Sequence, residues 1–91
     1  VDLLRNDLSQ VCLPGSVRVE ELFGVYSFPQ VHQMISTISG LLPQHFSFRH
    51  LLQALFPMGS MTGAPKRSVM ELTDRYETFA RGLFSGSVGY I

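Results

Sequence analysis

Residues 56–66, with the sequence FPMGSMTGAPK, constrain the fold most, because their prolines and glycines prevent one continuous helix through this half of the chain. Pro57 ends the helix that precedes the segment, since proline interrupts the helical hydrogen-bond ladder. Pro65 suits the first turn of the helix that follows, where its missing N–H is not needed. Gly59 and Gly63 allow the backbone to approach another group closely. We therefore predict a loop between two helices, with its backbone close to a ligand.

The same loop carries the hydroxyl groups of Ser60 and Thr62 next to the start of a helix. The unpaired N–H groups and the positive dipole end of a helix start favour a bound anion. A generic helix cap accounts for Thr62 and Pro65 equally well, because side-chain caps of this kind are common. The residues alone leave two interpretations open, an anion site and an ordinary helix cap.

The loop is not a nucleotide-binding P-loop, although it is rich in glycine. That motif has four residues between its glycines, and the second glycine is followed directly by Lys and then Ser or Thr. Here three residues separate Gly59 from Gly63, and Ala64 and Pro65 precede Lys66. If the loop binds an anion, we expect one other than a nucleoside triphosphate.

The composition fits one small core and argues against nucleic acid or a membrane as a partner. The chain has 91 residues, of which 45% are apolar. Seven basic and seven acidic residues give a net charge of zero, and the basic residues are scattered. No apolar run is long enough for a membrane span or a signal peptide. Cys12 is the only cysteine, so we predict a reducing, cytoplasmic setting in which it packs as a small apolar group.

The sequence offers no convincing metal-binding cluster. The histidines His32, His45 and His50 lack ligand spacing with one another and with Cys12. The two adjacent glutamates at positions 20 and 21 point to opposite faces of a strand, and the acids of the last helix lie among arginines. We predict that these carboxylates form solvated faces.

Hydrophobic periodicity and turn residues predict an α/β fold of the α+β type. The predicted order is a helix over residues 1–11, strands over 17–20, 22–28 and 32–39, helices over 47–56 and 65–77, and a closing strand over 82–91. The first residue is not Met and the chain stops within an apolar alternation. We therefore predict that residues 1–91 are a single partial domain of a larger protein.

The 65–77 helix has the clearest pattern of the predicted helices. Its expected buried stripe contains Val69 and Leu72 and continues through the aromatic residues at positions 76 and 79. On the outer side, Arg67 and Glu71 are four residues apart, which favours an ion pair, and Glu71 has the same spacing to Arg75.

Five segments, taken in order, are similar to a known family. They are VDLLRNDL (1–8), PGSV (14–17), MIST (34–37), GSMTGAPK (59–66) and RGLFSGSVGY (81–90). Together they resemble the chorismate-utilising enzymes, which include the anthranilate, aminodeoxychorismate, isochorismate and salicylate synthases. The resemblance covers essentially the whole chain. The GSMTGAPK and VHQMIST segments look most like the aminodeoxychorismate synthase component I branch, which leads to para-aminobenzoate and folate.

The resemblance implies part of a catalytic domain with two large, mostly antiparallel sheets, flanking helices, and chorismate and Mg²⁺ in a central cleft. Chorismate carries two carboxylates, which agrees with an anion site in the loop. By position, Ser60 lies where relatives have Ser or Thr beside the substrate, and Thr62 and Gly63 complete the loop. Lys66 is either an electrostatic contact to the substrate or a structurally paired cation, and both alternatives stay open.

Two positions depart from the common pattern of the family. Relatives often have His at the position of Gln33, near the ring carbon whose hydroxyl leaves. Gln33 donates a hydrogen bond but delivers no proton near neutral pH. His32 is the other catalytic candidate. Neighbours on a strand face opposite sides, however, so His32 and Gln33 point to different faces. This favours the competing interpretation of His32 as a packed or surface histidine. Phe84 replaces a Tyr or Trp of several relatives, so it keeps an apolar wall beside the substrate but loses a hydrogen bond.

The resemblance also implies what lies outside residues 1–91, namely the Mg²⁺-binding glutamates and a nucleophilic lysine. A glutamine amidotransferase subunit or domain is the implied source of ammonia. Within the chain, Arg5, Asn6 and Asp7 are predicted to tie the helix end structurally rather than to act in catalysis. The isolated 91 residues are therefore predicted to be inactive. The alternatives are part of an anthranilate synthase and a non-catalytic module that binds an anion or a partner protein.

Overall fold

The computed structural model describes residues 1–90, and within them helices combine with one two-stranded antiparallel sheet. The elements follow in the order α1 (Asp2–Ser9), β1 (Arg18–Ser27), β2 (His32–Ser39), α2 (Phe48–Leu55), α3 (Gly59–Thr62) and α4 (Lys66–Tyr76). This mixture confirms the α+β class predicted from the sequence. The helices predicted over 1–11, 47–56 and 65–77 are confirmed with slightly tighter bounds.

The hairpin of β1 and β2 differs from the prediction in its first strand. Two separate strands over 17–20 and 22–28 were expected, and this is wrong because β1 runs through the predicted gap. Register shifts between Val19 and Glu21 and between Glu21 and Gly24 mark bulges, which add residues to a strand without ending it. Phe23 lies in the second bulge with φ at 57°, and its N–H donates to Ser36 Oγ at 3.0 Å. The irregular backbone therefore stays attached to β2.

Few side chains are buried in the part of the chain that the structure describes. Asp7 is 2% exposed and Cys12 is 9% exposed. A Cβ on Gly40 would lie 2.6 Å from Cys12 Sγ, so only glycine permits this contact between the end of β2 and the residues after α1. The Leu13 N–H donates to the Leu41 carbonyl at 2.8 Å and ties the same junction. The prediction that Cys12 packs as a small apolar group is confirmed.

The predicted buried stripe of α4 is largely wrong. Val69 is half-buried, whereas Leu72 is 49% exposed and Tyr76 and Phe79 are each 70% exposed. The reason is that α4 packs mainly on α3, and Val69 is the apolar side chain that meets the backbone of Gly63 there. The remaining apolar residues of the stripe have no neighbour within residues 1–90 that covers them.

The closing strand predicted over 82–91 is also wrong for residues 82–90, and Ile91 lies outside the described residues. Tight turns replace it, with the Phe84 N–H donating to the Arg81 carbonyl and the Gly86 N–H to the Leu83 carbonyl, both at 3.0 Å. A strand needs a partner for its backbone hydrogen bonds. Among residues 1–90, β1 and β2 pair only with each other.

Much apolar surface is left exposed by this arrangement, including Val25 at 69% and Leu83 at 91%. Within residues 1–90, none of the helices has both the length and the apolar character that a membrane crossing requires. The candidate functional site lies where α1, α2, α3 and α4 meet.

Candidate functional site

The predicted loop over residues 56–66 contains a short helix. Residues Gly59–Thr62 form α3, where the sequence predicted irregular backbone. Prolines flank it at positions 57 and 65, and these stop α3 from joining α2 or α4 into one longer helix. The expected break between two helices is therefore present, but it holds one extra helical turn. Ser60 lies on this turn and is exposed.

Thr62 and Gly63 end the short helix and turn the chain towards α4. The Thr62 hydroxyl donates to the Met58 carbonyl at 3.0 Å, so it serves its own helical turn and does not cap α4. Gly63 has φ at 126°, a backbone conformation open mainly to glycine. A Cβ on Gly63 would lie 3.0 Å from Cγ2 of Val69. Glycine at this position thus permits both the turn and the close packing of α4.

Asp7 holds the start of α3 from the opposite end of the sequence. Its Oδ2 accepts a hydrogen bond from the Gly59 N–H at 2.9 Å, and its side chain is 3% exposed. Asp7 also lines a cavity together with Leu4 and Leu8 of α1. The contact agrees with the structural tie predicted around Asp7. Arg5 instead pairs with the exposed Asp2 at 3.4 Å.

Lys66, the first residue of α4, completes the contacts of this carboxylate. Its Nζ lies 3.0 Å from Asp7 Oδ1 and donates to the Ala54 carbonyl at 3.2 Å. The lysine side chain is 25% exposed. We call Asp7, Gly59 and Lys66 the polar clasp. Of the two interpretations left open for Lys66, the observed contacts are those of a structurally paired cation.

A separate cavity of about 470 Å³ lies on the other side of α3 and α4. Thr62, Arg81 and Phe84 are among the residues that line it. Arg81 donates to the Met61 carbonyl at 3.1 Å, and its guanidinium lies 6.0 Å from the ring centre of Phe84. Arg81 therefore connects the end of α3 to the turn that carries Phe84.

Glu77 fixes the orientation of Arg81 in this cavity. The Arg81 Nε donates to both carboxylate oxygens of Glu77, at 3.0 and 2.8 Å. This hydrogen bonding lowers the pKa of Glu77 below its usual value of 4.5. The same contact raises the pKa of Arg81. Both groups are therefore charged near neutral pH, and the pair lines the cavity together with Thr62, Asp74 and Phe84.

His32 and Gln33 are the first two residues of β2, next to the turn that joins the two strands of the hairpin. His32 faces Ser27 across the strands, with its Nδ1 2.9 Å from Ser27 Oγ. Gln33 pairs with Tyr26 and is exposed. The cavities that contain Thr62, Lys66 and Phe84 include neither residue. The described residues therefore do not bring the two catalytic candidates together with the loop candidates.

Arg81 is the residue of this site that the sequence analysis missed. Glu77 precedes it by four residues, which is an ion-pair spacing on a helix, but α4 ends at Tyr76. The signal for Asp7 is stronger, because an acid three residues after Leu4 and next to Leu8 falls on the apolar side of α1. A buried acid in that place needs a partner.

No group of three or more His, Cys, Asp or Glu side chains among residues 1–90 is arranged to hold a metal ion. The polar clasp contains one carboxylate, and a lysine already neutralises it.

Known proteins show consistent similarity to this chain. The family model described as chorismate binding enzyme matches residues 1–91. Aminodeoxychorismate synthase component 1 of Klebsiella aerogenes is 52% identical over 91 residues, which are 100% of this chain and 20% of that protein. Anthranilate synthase component 1 of Saccharolobus solfataricus is 41% identical over 91 residues, which are 100% of this chain and 22% of that protein.

One solved structure extends the similarity to the fold. It is the anthranilate synthase component I of Streptococcus pneumoniae, which matches with a TM-score of 0.80 and 34% identity. The match covers 98% of this chain and 20% of that one. The chain thus spans about a fifth of the length of these relatives.

Proposed function

Since this chain belongs to the family of chorismate-binding enzymes, we propose that it forms part of an aminodeoxychorismate synthase component I. The difference in identity carries this proposal: 52% to an aminodeoxychorismate synthase against 41% to an anthranilate synthase over the same 91 residues. The proposed reaction replaces the ring 4-hydroxyl of chorismate with an amino group from ammonia. Water leaves, and the enolpyruvyl group stays on the 4-amino-4-deoxychorismate product. The product would feed para-aminobenzoate and folate synthesis.

Segment 59–66 is the proposed substrate-binding part of this chain. Ser60 is exposed on α3, so its hydroxyl is the best placed of the loop to donate to a chorismate carboxylate. The Thr62 hydroxyl already donates to Met58, and Thr62 therefore contributes mainly by shaping the turn. Gly63 supports the same turn with its positive φ. Lys66 is held by Asp7.

Phe84 is the proposed apolar wall of the substrate site. It lines the same cavity as Thr62, and the aromatic face suits the ring of chorismate. Of the two hairpin candidates, Gln33 is preferred as a hydrogen-bond donor to the departing hydroxyl, because His32 already contacts Ser27 and faces the other side of the strand. Both assignments require that other parts of the enzyme bring the hairpin to the substrate.

In the proposal, other parts of the enzyme bind Mg²⁺ and receive the ammonia, whereas the described residues bind and orient chorismate. The proposed partner is a glutamine amidotransferase subunit or domain that releases ammonia. The chain alone is therefore expected to have no synthase activity.

The test is a chimera in which residues 1–91 replace the matched segment of the Klebsiella aerogenes relative, which they resemble at 52% identity. Purified chimera receives chorismate, Mg²⁺ and ammonium, and the products are separated by chromatography. We expect 4-amino-4-deoxychorismate, which a lyase then converts to para-aminobenzoate. The unmodified relative is the positive control, and the 91-residue chain alone is the negative control.

The products also decide between the competing functions. Anthranilate and pyruvate as the main products would assign the chain to the anthranilate branch, because amination at C2 is followed by loss of pyruvate. A chimera that folds but turns over no chorismate would contradict the proposal and favour a binding module. Turnover by the isolated chain would contradict the expectation that the site is incomplete within it.

A further inference from the structure

Asp7 is the most buried polar side chain among the described residues, and the proposed reaction gives it no direct task. The residue is 2% exposed, and both carboxylate oxygens have partners. Oδ2 accepts from the Gly59 N–H at 2.9 Å, and Oδ1 lies 3.0 Å from Lys66 Nζ. A buried carboxylate is costly unless it is paired in this way, so its position indicates a specific role in the fold.

The two partners of Asp7 are the first and last residues of segment 59–66. Between them lie Ser60, Thr62 and Gly63, the proposed substrate-binding residues. A single carboxylate therefore fixes both ends of the segment that they occupy. Lys66 also donates to the Ala54 carbonyl at 3.2 Å, which fastens the same point to α2.

The fit around Gly59 leaves little freedom for this segment. A Cβ at this position would lie 3.2 Å from Asp7 Oδ2, 3.5 Å from Oδ1 and 3.6 Å from the Cβ of Leu3. Glycine at this position therefore lets the backbone N–H meet the carboxylate without the tight contact that a Cβ would make with Oδ2.

The ammonium group of Lys66 already makes two polar contacts within the protein. A lysine has three donors, and here one faces a carboxylate and one a carbonyl group. The adjacent negative charge also cancels most of the attraction that this cation would exert on a substrate carboxylate. The polar clasp thus makes Lys66 a poor candidate for direct contact with chorismate.

The geometry assigns Asp7 and Lys66 as positioning residues that hold segment 59–66, and with it Ser60 and Gly63, in the conformation that receives a substrate carboxylate. This inference rests on the proposed function for the identity of the substrate. The polar clasp itself does not depend on the proposed function. The inference also replaces the alternative in which Lys66 contacts chorismate.

The experiment compares four variants with the unchanged sequence. Asp7→Asn keeps an oxygen for the Gly59 N–H but removes the charge, and Lys66→Met keeps the aliphatic stem. The double variant removes both charges, and Arg67→Met is the matched control at the next position, where the side chain is 93% exposed. Amide hydrogen exchange of the peptide that carries Gly59 is measured on the chimera by mass spectrometry. KM and kcat for chorismate are measured on the same chimera.

We expect Asp7→Asn and Lys66→Met each to accelerate Gly59 exchange at least tenfold and to raise KM about tenfold, with kcat within threefold of the unchanged chimera. The double variant should be no worse than the worse single variant, because the two residues act as one unit. Arg67→Met should leave exchange and KM unchanged.

Other outcomes overturn the inference separately from the proposed function. If Lys66→Met raises KM while Gly59 exchange stays slow, Lys66 contacts the substrate directly. A Gly59 amide that exchanges at the unprotected rate in the unchanged, folded chimera shows that the polar clasp does not form. A chimera without turnover contradicts the proposed function, and the exchange measurements then still decide whether the clasp exists.

Discussion

Two ion pairs begin at neighbouring residues of α4, one on its inner side and one on its outer side. Lys66 pairs with Asp7, and the two side chains are 25% and 3% exposed. Arg67 pairs with Glu71 at 3.2 Å, which confirms the outer pair predicted from the sequence, but these side chains are 93% and 69% exposed. The inner pair connects α4 to α1, whereas the outer pair lies within one helix.

The difference shows that distance between charges is a poor measure of what an ion pair does. Both pairs have nearly the same N to O separation. Water screens the outer charges, so their attraction contributes little to stability. Water reaches the inner pair much less, because the Asp7 side chain is 3% exposed, so loss of Lys66 leaves a buried carboxylate without its counter-ion. We expect every test that separates the two sides of α4 to show a larger effect on the inner side.

The largest expected effect is on the free energy of unfolding when one inner charge is removed. Lys66→Met should destabilise the chain by about 3 kcal/mol, because Asp7 then remains buried without its cation. Arg67→Met should change stability by less than about 0.5 kcal/mol. Urea unfolding followed by circular dichroism measures both. Equal values for the two variants would contradict the distinction between the sides.

A second inner feature is the packing of Gly63 against Val69. Gly63→Ala should destabilise by about 1–3 kcal/mol, because the new Cβ would meet Val69 at 3.0 Å and the φ of 126° would be strained. Gly82→Ala is the control, since Gly82 also has positive φ, at 57°, but a Cβ there meets nothing within 4 Å. Thermal unfolding midpoints compare the two, and a larger loss at Gly82 would refute the role of the packing.

The pH dependence of stability should reveal the half-buried Glu77. The hydrogen bonds from Arg81 lower the pKa of Glu77 in the folded chain below 4.5, so the unfolded chain binds more protons in the range between the two values. The stabilisation from Glu77 is therefore fully present above about pH 4.5 and is lost as the pH falls through the lowered pKa. Unfolding midpoints from neutral to acid pH measure it.

Glu77→Gln should remove part of this loss of stability in acid, because the amide keeps the shape of the side chain but does not titrate. Arg81→Met should flatten the same part of the acid profile, because it removes the donor that lowers the pKa of Glu77. An acid profile that stays the same in both variants would show that the pairing of Glu77 with Arg81 is not its cause.

The smallest expected effect is the coupling within the outer pair. A double-mutant cycle of Arg67→Ala and Glu71→Ala should give about 0.3–0.5 kcal/mol at low salt. Raising the salt concentration should reduce this coupling, because water and ions reach both groups. The Asp7 and Lys66 cycle should keep its value in the same series. Salt sensitivity in the inner cycle would mean that water reaches the clasp.

The sequence predicts local structure well where the signal is local. The β2 bounds of His32–Ser39 match the prediction, since polar and apolar residues alternate and β-branched residues recur along it. The breaks at Pro57 and Pro65 are likewise correct because proline limits the backbone directly. The continuous β1 was missed, because a bulge depends on the partner strand and leaves no clear pattern in its own residues.

Features that depend on distant residues were harder to predict. The burial of Leu72 in α4 was inferred from helical periodicity, but periodicity does not say whether another element covers the stripe. Residues 82–90 alternate like a strand and lack a strand partner among the described residues. Arg81 was missed because its contacts with Met61 follow from the fold of α3 and not from spacing. The substrate roles of Ser60 and Phe84 stay predictions.

The contact between Asp7 and Gly59 joins residues that are 52 positions apart in the chain. Such a contact forms only after a long loop of chain has closed, and this closure has a high entropic cost. We therefore expect the hairpin and the separate helices to order first and the clasp to form after the folding transition state. Substitutions at Asp7 or Gly59 should then speed unfolding while they leave the folding rate nearly unchanged. The residues that shape segment 59–66 would thus determine how long the assembled site lasts, rather than how quickly it is made.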